Sequence, residues 1–139
     1  MLIDPENESA VRVDARLRND LVAWLITVAP DGTPMPTPVW FWWDGETMLV
    51  YSQPEKPKLR NIQTNPHVAV ALRTDPLGSE LVVITGDATV DPSAPKADDH
   101  ADYIAKYASE IARLGSDPVS FAAGYSVPIR ITPTRLRAE

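Results

Sequence analysis

Residues 40–52 read WFWWDGETMLVYS, and this stretch decides the fold. Asp44-Gly45 is the strongest hairpin signal in the chain, because both central residues of a type I′ turn need positive φ, which Asp and Gly tolerate. An aromatic run precedes the turn, and residues 47–51 follow it as a second strand. The stretch therefore predicts two adjacent antiparallel strands.

A second turn, residues 30–33 with the sequence PDGT, lies upstream of the hairpin. Pro30 suits the second position of a β-turn, and Gly32 supplies freedom in φ. The turn joins a β-rich run at residues 21–29 to a returning strand at residues 34–43. Together with the hairpin, these segments predict three antiparallel strands in a meander.

The remaining elements follow from hydrophobic periodicity and from helix caps. Their connections are too short for parallel crossovers, which need a dozen or more residues. The sequence predicts one mainly β (α+β) domain over residues 1–139, a six-stranded antiparallel barrel with three or four peripheral helices. The other predicted elements are a helix at 9–20, strands at 67–73, 81–90 (with a bulge at Gly86) and 125–131, a long helix capped by Asp98 or Asp99 that ends near Leu114, and a helical turn at 118–123.

The strand at residues 34–43 has two unusual features. Pro34, Pro36 and Pro38 occupy alternate positions, and because proline cannot donate a ladder hydrogen bond, one edge of this strand must be unpaired. Such an edge can receive a ligand or lie against a partner subunit. The four aromatic residues at 40–43 place two large rings on each face of the strand, so both faces must be covered. We expect a homodimer interface or a flat ligand on the outer face.

Composition excludes several classes of protein. The formal net charge of −6 and the absence of a long basic face argue against a nucleic-acid binder. The apolar runs are too short to span a membrane, and residues 1–7 do not form a secretory signal. The chain has no cysteine, which excludes disulfides, thiolate metal sites and cysteine nucleophiles and fits a cytoplasmic protein.

Residues 51–62, YSQPEKPKLRNI, are the candidate binding segment. They predict the end of a strand, a polar turn and the start of a short helix that ends at Asn65-Pro66. Lys56, Lys58 and Arg60 lie together at the helix N-terminus, where cations are unfavourable unless an anion binds. Two interpretations stay open from spacing alone: a phosphate site and a solvated basic turn.

The order of these motifs resembles the pyridoxamine 5′-phosphate oxidase-like superfamily, the split β-barrel proteins that bind flavins and deazaflavins. The resemblance extends from about Leu17 to Arg137, and within the superfamily the chain looks most similar to small actinobacterial enzymes that use the deazaflavin coenzyme F420. It does not include the C-terminal Trp and Arg pattern of true pyridoxamine phosphate oxidases. We therefore do not expect that particular activity.

The resemblance implies a homodimer with two cofactor sites at its interface. The strand end and the basic turn would hold the cofactor phosphate, and the backbone of the proline-rich strand would line the ring. The implied cofactor-binding residues are Ser52, Gln53, Lys56, Lys58 and Arg60 for the phosphate, and Thr37, Val39 and Trp40 for the ring.

The implied function is an F420-dependent oxidoreductase that transfers a hydride between the cofactor and an unsaturated small molecule. Two alternatives remain: an FMN-binding member of the fold, and a non-catalytic member that stores a cofactor or binds haem. No catalytic acid, base or nucleophile stands out in the sequence, which suits an enzyme whose cofactor carries the chemistry. The two histidines, His67 and His100, have no second ligand at useful spacing, so we expect no metal site.

Overall fold

The computed structural model describes residues 8–139, and the prediction about a secretory signal at residues 1–7 lies outside that range. The described chain is α+β, as predicted, with a small difference in the strand count: seven rather than six. The helices are α1 (Glu8–Asn19), α2 (Pro57–Thr64), α3 (Ala101–Arg113) and α4 (Pro118–Gly124); the strands are β1 (Ala23–Val28), β2 (Pro34–Val39), β3 (Trp42–Trp43), β4 (Met48–Ser52), β5 (His67–Leu72), β6 (Val82–Val90) and β7 (Val127–Ala138).

The seven strands form one antiparallel sheet in the order β2-β1-β5-β6-β7-β4-β3. Its two edge strands, β2 and β3, are consecutive in the chain and are separated only by Trp40 and Phe41. Three Cα–Cα steps span at most about 11 Å, so the sheet must curl until its edges meet. The predicted meander is therefore wrong in one respect: the expected single strand at 34–43 is divided into β2, which pairs with β1, and β3, which pairs with β4 at the other edge of the sheet.

Side chains of α3 hold the short segment that links β2 to β3. The Tyr107 hydroxyl accepts a hydrogen bond from the Phe41 amide at 2.9 Å and donates to the Leu21 carbonyl at 2.6 Å. Lys106 Nζ donates to the Phe41 carbonyl at 2.9 Å and lies 4.0 Å from the centroid of the Phe41 ring. These bonds satisfy backbone groups that have no strand partner, which explains why residues 34–43 form two strands rather than one.

The barrel interior is filled by one face of each strand, with α1 and α2 closing it. Phe41 and Trp43 point into this core and are fully buried. The Trp43 indole donates to Asp14 of α1 at 2.9 Å, which provides the partner that a buried indole N–H requires. On α2, the buried Asn61 donates to Thr27 Oγ1 at 3.0 Å and so ties the helix to β1.

The other two aromatic residues, Trp40 and Trp42, pack on the opposite face, as alternation predicts. A second hydrophobic cluster covers them, formed with α3 and α4 of the same chain. The Trp40 indole stacks on Tyr107 with ring centroids 4.7 Å apart and an interplanar angle of 5°, and on Phe121 at 5.5 Å. The chain's own helices therefore cover much of these two rings, so the rings by themselves do not require a partner subunit or a flat ligand.

The three prolines of β2 face the free edge of the sheet. The Ala29 amide donates to the Thr33 carbonyl at 2.8 Å, which makes this a hydrogen-bonded pair. Bonding direction alternates along a strand, so Thr37 and Val39 also bond toward β1, while Pro36 and Pro38 face outward. The exposed edge therefore offers carbonyl acceptors and few amide donors.

Two boundaries differ from the sequence prediction. The cap of α3 is His100, whose Nδ1 accepts from the Tyr103 amide at 3.1 Å, and Asp98 and Asp99 belong to a preceding 3₁₀ turn. The last strand continues past residue 131 to Ala138, since β7 pairs first with β4 and then with the whole length of β6. The predicted bulge at Gly86 is confirmed as a register shift between β6 and β7.

Candidate functional site

An aromatic cavity of about 140 Å³ lies between the end of β2, α3 and α4. Among the described residues that line this cavity, only Lys58, in the first turn of α2, has a charged side chain. We call this space the aromatic cavity. Its lining residues are Pro38, Val39, Trp40, Tyr51, Lys58, Tyr103, Leu114, Phe121 and Tyr125.

Lys58 is half-buried beside these rings and has no counter-ion. Within residues 8–139, no carboxylate forms a salt bridge with it and no acceptor hydrogen-bonds its ammonium group. Burial lowers the pKa of Lys58, and the neighbouring charge of Lys56 lowers it further. An anion bound in the cavity would oppose both effects and raise the pKa of Lys58, since a nearby negative charge favours the protonated form.

The backbone around Lys58 is also arranged for an anion. The N-terminus of α2 has no side-chain cap and no acidic residue in its first turn, and Pro57 occupies the first helical turn. Just before it, Glu55 has a φ of +64°, a left-handed conformation that costs a non-glycine residue energy. The helix dipole at this end therefore adds positive potential to the cation instead of being neutralised by a carboxylate.

The other two basic residues of the turn line a different cavity. Lys56 and Arg60 border a groove of about 760 Å³ between α2 and β6, whose floor includes Leu59, Ile62 and Val90. Neither cation forms an ion pair with any residue between 8 and 139. The structure thus separates the three cations that the sequence placed at one site: Lys58 faces the aromatic cavity, and Lys56 and Arg60 face the groove.

The remaining predicted residues are placed as follows. Ser52 is 1% exposed and its hydroxyl donates to the Gln53 carbonyl at 2.8 Å, so it is not presented to either cavity. Val39 and Trp40 line the aromatic cavity with their side chains. Thr37 does not line it, and the amides of Thr37 and Val39 are directed to β1. The predicted backbone contacts from these two amides to a ring are therefore not available in this arrangement.

Tyr103 is a candidate site residue that the sequence motifs did not single out. It is 1% exposed, it lines the aromatic cavity, and its hydroxyl hydrogen-bonds to none of residues 8–139. Burial raises its pKa, so the hydroxyl stays protonated. The signal that could have revealed it is the spacing Tyr103, Tyr107, Ile111, which forms the buried stripe of α3.

The dimensions of the aromatic cavity limit what it can hold. Ligand cavities usually measure about 300–1,000 Å³, and this one is smaller. Its stacked rings and single unpaired cation suit a flat apolar body next to an anionic group. A ligand as large as a flavin or deazaflavin nucleotide fits these residues only if much of it extends beyond the cavity, past the open edge of β2.

Other observations limit alternative sites. No group of three or more His, Cys, Asp or Glu side chains within residues 8–139 could hold a metal ion. His67 is exposed and pairs with Asp87 at 2.8 Å, and His100 caps α3. In that same part of the chain, no helix is both long and apolar enough to cross a membrane.

The curled antiparallel sheet and its flanking helices define the split-barrel class. A family model described as pyridoxamine 5′-phosphate oxidase matches residues 11–138, which is nearly the whole chain. The chain therefore belongs to the pyridoxamine 5′-phosphate oxidase family. No curated protein matches it in sequence.

Solved structures of the same fold support this assignment. A protein named F420 reductase is 28% identical, with a TM-score of 0.65, over 89% of this chain and 94% of its own. A putative pyridoxamine 5′-phosphate oxidase from Listeria innocua is 27% identical, with a TM-score of 0.69, over 92% of this chain and 95% of its own. The haem storage protein HutZ from Vibrio cholerae, 18% identical over 99% of this chain and 95% of its own with a TM-score of 0.61, shares the fold alone.

Proposed function

We propose that the protein binds coenzyme F420 and acts as an oxidoreductase on an unsaturated small molecule. The observation that carries the proposal is Lys58, a half-buried cation that lines an aromatic cavity and pairs with no carboxylate of residues 8–139. Similarity to a structure named F420 reductase adds support. The separate groove with Lys56 and Arg60 suits the long anionic tail of F420, which extends beyond its phosphate.

Each residue of the site has a distinct part in this proposal. Lys58 offers a point charge to the phosphate, and Trp40 with Tyr125 provides the apolar wall for the ring. Tyr103 keeps its proton and can donate a hydrogen bond to a bound polar atom. The cofactor, when bound, would supply the hydride, while these residues bind it, orient it and exclude water.

FMN is the second candidate cofactor, and one observation favours it. Lys58 is the sole cation among the described residues that line the aromatic cavity, which matches a ligand that ends in a single phosphate. Haem is not favoured, because neither histidine lines this cavity. Of the methionines within residues 8–139, Met48 is buried in the barrel core, and Met35 accepts a hydrogen bond from Asn61.

A parallel titration of the purified apo-protein with F420 and with FMN tests the proposal. We expect F420 to bind with micromolar or tighter affinity and FMN much more weakly. Quenching of tryptophan fluorescence monitors the binding, since Trp40 lines the cavity. Tighter binding of FMN would assign the protein to the flavin branch. Binding of neither would leave the basic turn as a solvated surface and would contradict the proposed function.

We also propose that the protein forms a homodimer through the outer face of β1, β2 and β5. Directly paired residues on this face are apolar, and Trp24 remains 48% exposed at its centre, flanked by Pro38 and Ala71. Exposed apolar faces of this kind mark interaction surfaces. The residues on the face are Trp24, Ile26, Val28, Pro34, Pro36, Pro38, Ala69 and Ala71.

Trp24→Lys should convert the dimer to a monomer, because it places a charge in the centre of the proposed apolar interface. Sedimentation velocity at micromolar protein measures the change. Leu77→Lys is the matched control, since Leu77 is an exposed apolar residue in the turn after β5 and lies outside the face. A monomeric wild-type protein, or a Trp24→Lys variant that still sediments as a dimer, would contradict this interface.

A further inference from the structure

A third cavity, of about 580 Å³, is separated from the aromatic cavity by two tyrosines. Tyr51 and Tyr125 line both cavities and form the wall between them. The rest of the third cavity is built by the loop after β6, by α4 and by the start of β7. Its volume falls within the usual range for small-molecule sites, so it is large enough to hold a ligand of its own.

Asp98 lines this cavity and has no donor for its carboxylate. Its Oδ1 atom is buried without a hydrogen-bond partner, and no residue between 8 and 139 donates to Oδ2 either. Lys96 lines the same cavity, yet it forms no salt bridge with Asp98. A partly buried carboxylate normally has charge-assisted hydrogen bonds, because the charged form is costly without them.

The other walls of the cavity do not compete for a polar ligand group. The Tyr51 hydroxyl already donates to the Pro95 carbonyl at 2.6 Å. Pro92, Ala122 and Pro128 contribute apolar surface. The site therefore combines a mainly apolar lining with a partly buried acidic side chain, Asp98, while the basic Lys96 is exposed at the same cavity. A metal ion does not suit it, because a single carboxylate provides too few ligands.

We propose that this cavity binds an organic cation: an ammonium or amidinium group on an apolar, ring-sized body. The cationic N–H group would bond the accessible oxygen of Asp98 and compensate the charge that the buried oxygen leaves unsolvated. The body would lie between the prolines and the wall formed by Tyr51 and Tyr125. This site is separate from the one proposed for the cofactor, and it does not depend on cofactor binding.

Calorimetric titration of the protein without added cofactor tests the proposal with three probes of one shape. The probes are benzylammonium, benzyl alcohol and benzoate at neutral pH. We expect benzylammonium to bind about tenfold or more tightly than benzyl alcohol, because only the cation forms a charge-assisted bond with Asp98. Benzoate should not bind. Equal affinities for the cation and the alcohol, or no benzylammonium binding at millimolar concentration, would overturn the proposal.

Two variants locate the binding in the cavity. Asp98→Asn should reduce the affinity for benzylammonium to that for benzyl alcohol and leave the alcohol unaffected. Asp99→Asn is the matched control, because Asp99 is exposed in the same turn and its substitution changes the net charge by the same amount. An Asp98→Asn variant that binds benzylammonium as well as the wild type does would overturn the assignment. The probe comparison on the wild type decides the matter if Asp98→Asn does not fold.

Discussion

Tyr107→Phe should lower the free energy of unfolding by about 3 kcal/mol, because it removes the hydroxyl that ties the segment between β2 and β3 to the backbone just before β1. The variant would leave the Phe41 amide, in a fully buried residue, without an acceptor, and would remove the donor to the Leu21 carbonyl. An unsatisfied buried amide costs about 1–3 kcal/mol, and a lost hydrogen bond adds about 0.5–1.5 kcal/mol. Urea unfolding at a fixed protein concentration measures the difference.

Tyr103→Phe is the matched control for this variant. Tyr103 lies one turn earlier on α3 and is as deeply buried as Tyr107, but its hydroxyl hydrogen-bonds to none of residues 8–139. We therefore expect the control to change the free energy of unfolding by less than about 1 kcal/mol, because no bond is broken. A loss of less than about 1 kcal/mol in Tyr107→Phe as well would show that ring packing alone, rather than the hydroxyl bonds, holds this segment in place.

The parts of the fold that sequence predicted well are those governed by local chemistry. Asp44-Gly45 correctly marked one hairpin, although only Gly45 has a positive φ, of +100°, and Asp44 instead accepts hydrogen bonds from the Glu46 and Thr47 amides. Alternation correctly placed Val68, Val70 and Leu72 of β5 on the buried face. Local rules suffice here because each signal and its structural consequence lie within a few residues of each other.

The closure of the barrel could not be predicted from local signals. Trp40 and Phe41 continue the strand pattern in sequence, but the strand is interrupted at these residues. Tyr107 and Lys106, more than sixty residues later, bond the Phe41 backbone in place of a neighbouring strand. Burial lowers the pKa of Lys106 to about 8, so this replacement places a cation where desolvation disfavours it. For the same reason, the cover over Trp40 came from α3 and α4 rather than from the expected partner.

The sequence indicated the segment that contributes Lys58 to the candidate site, but it indicated only some of the residues that line the site. The turn before α2 brings Lys58 to the aromatic cavity, and spacing indicated that turn. Spacing could not show that Lys56 and Arg60 face a different groove, because that depends on how α2 is rotated against β1 and β6. Asp98 was predicted only as a helix cap, since only the folded chain reveals a buried polar atom without a partner.

Lys58→Gln should weaken cofactor binding by about 1.5–3 kcal/mol, the contribution of a hydrogen bond to a charged group, or roughly 10–150-fold in affinity. Glutamine keeps most of the length of the side chain but removes its charge. The F420 and FMN titrations measure the loss. Lys58→Arg should retain most of the affinity, because it keeps the charge, and Lys96→Gln is the matched control at an exposed lysine outside the aromatic cavity.

The pH dependence of binding distinguishes a charge contact from a packing effect. Because burial and Lys56 lower the pKa of Lys58 in the free protein, and a bound anion would raise it again, affinity should be fully present at lower pH and lost as pH rises through the lowered pKa. Lys58→Arg should remove this loss, since arginine stays protonated. Measurements above pH 7 keep the charge of a ligand phosphate nearly constant. Wild-type affinity in Lys58→Gln, or the same loss of affinity with pH in Lys58→Arg as in the wild type, would exclude Lys58 from the phosphate site.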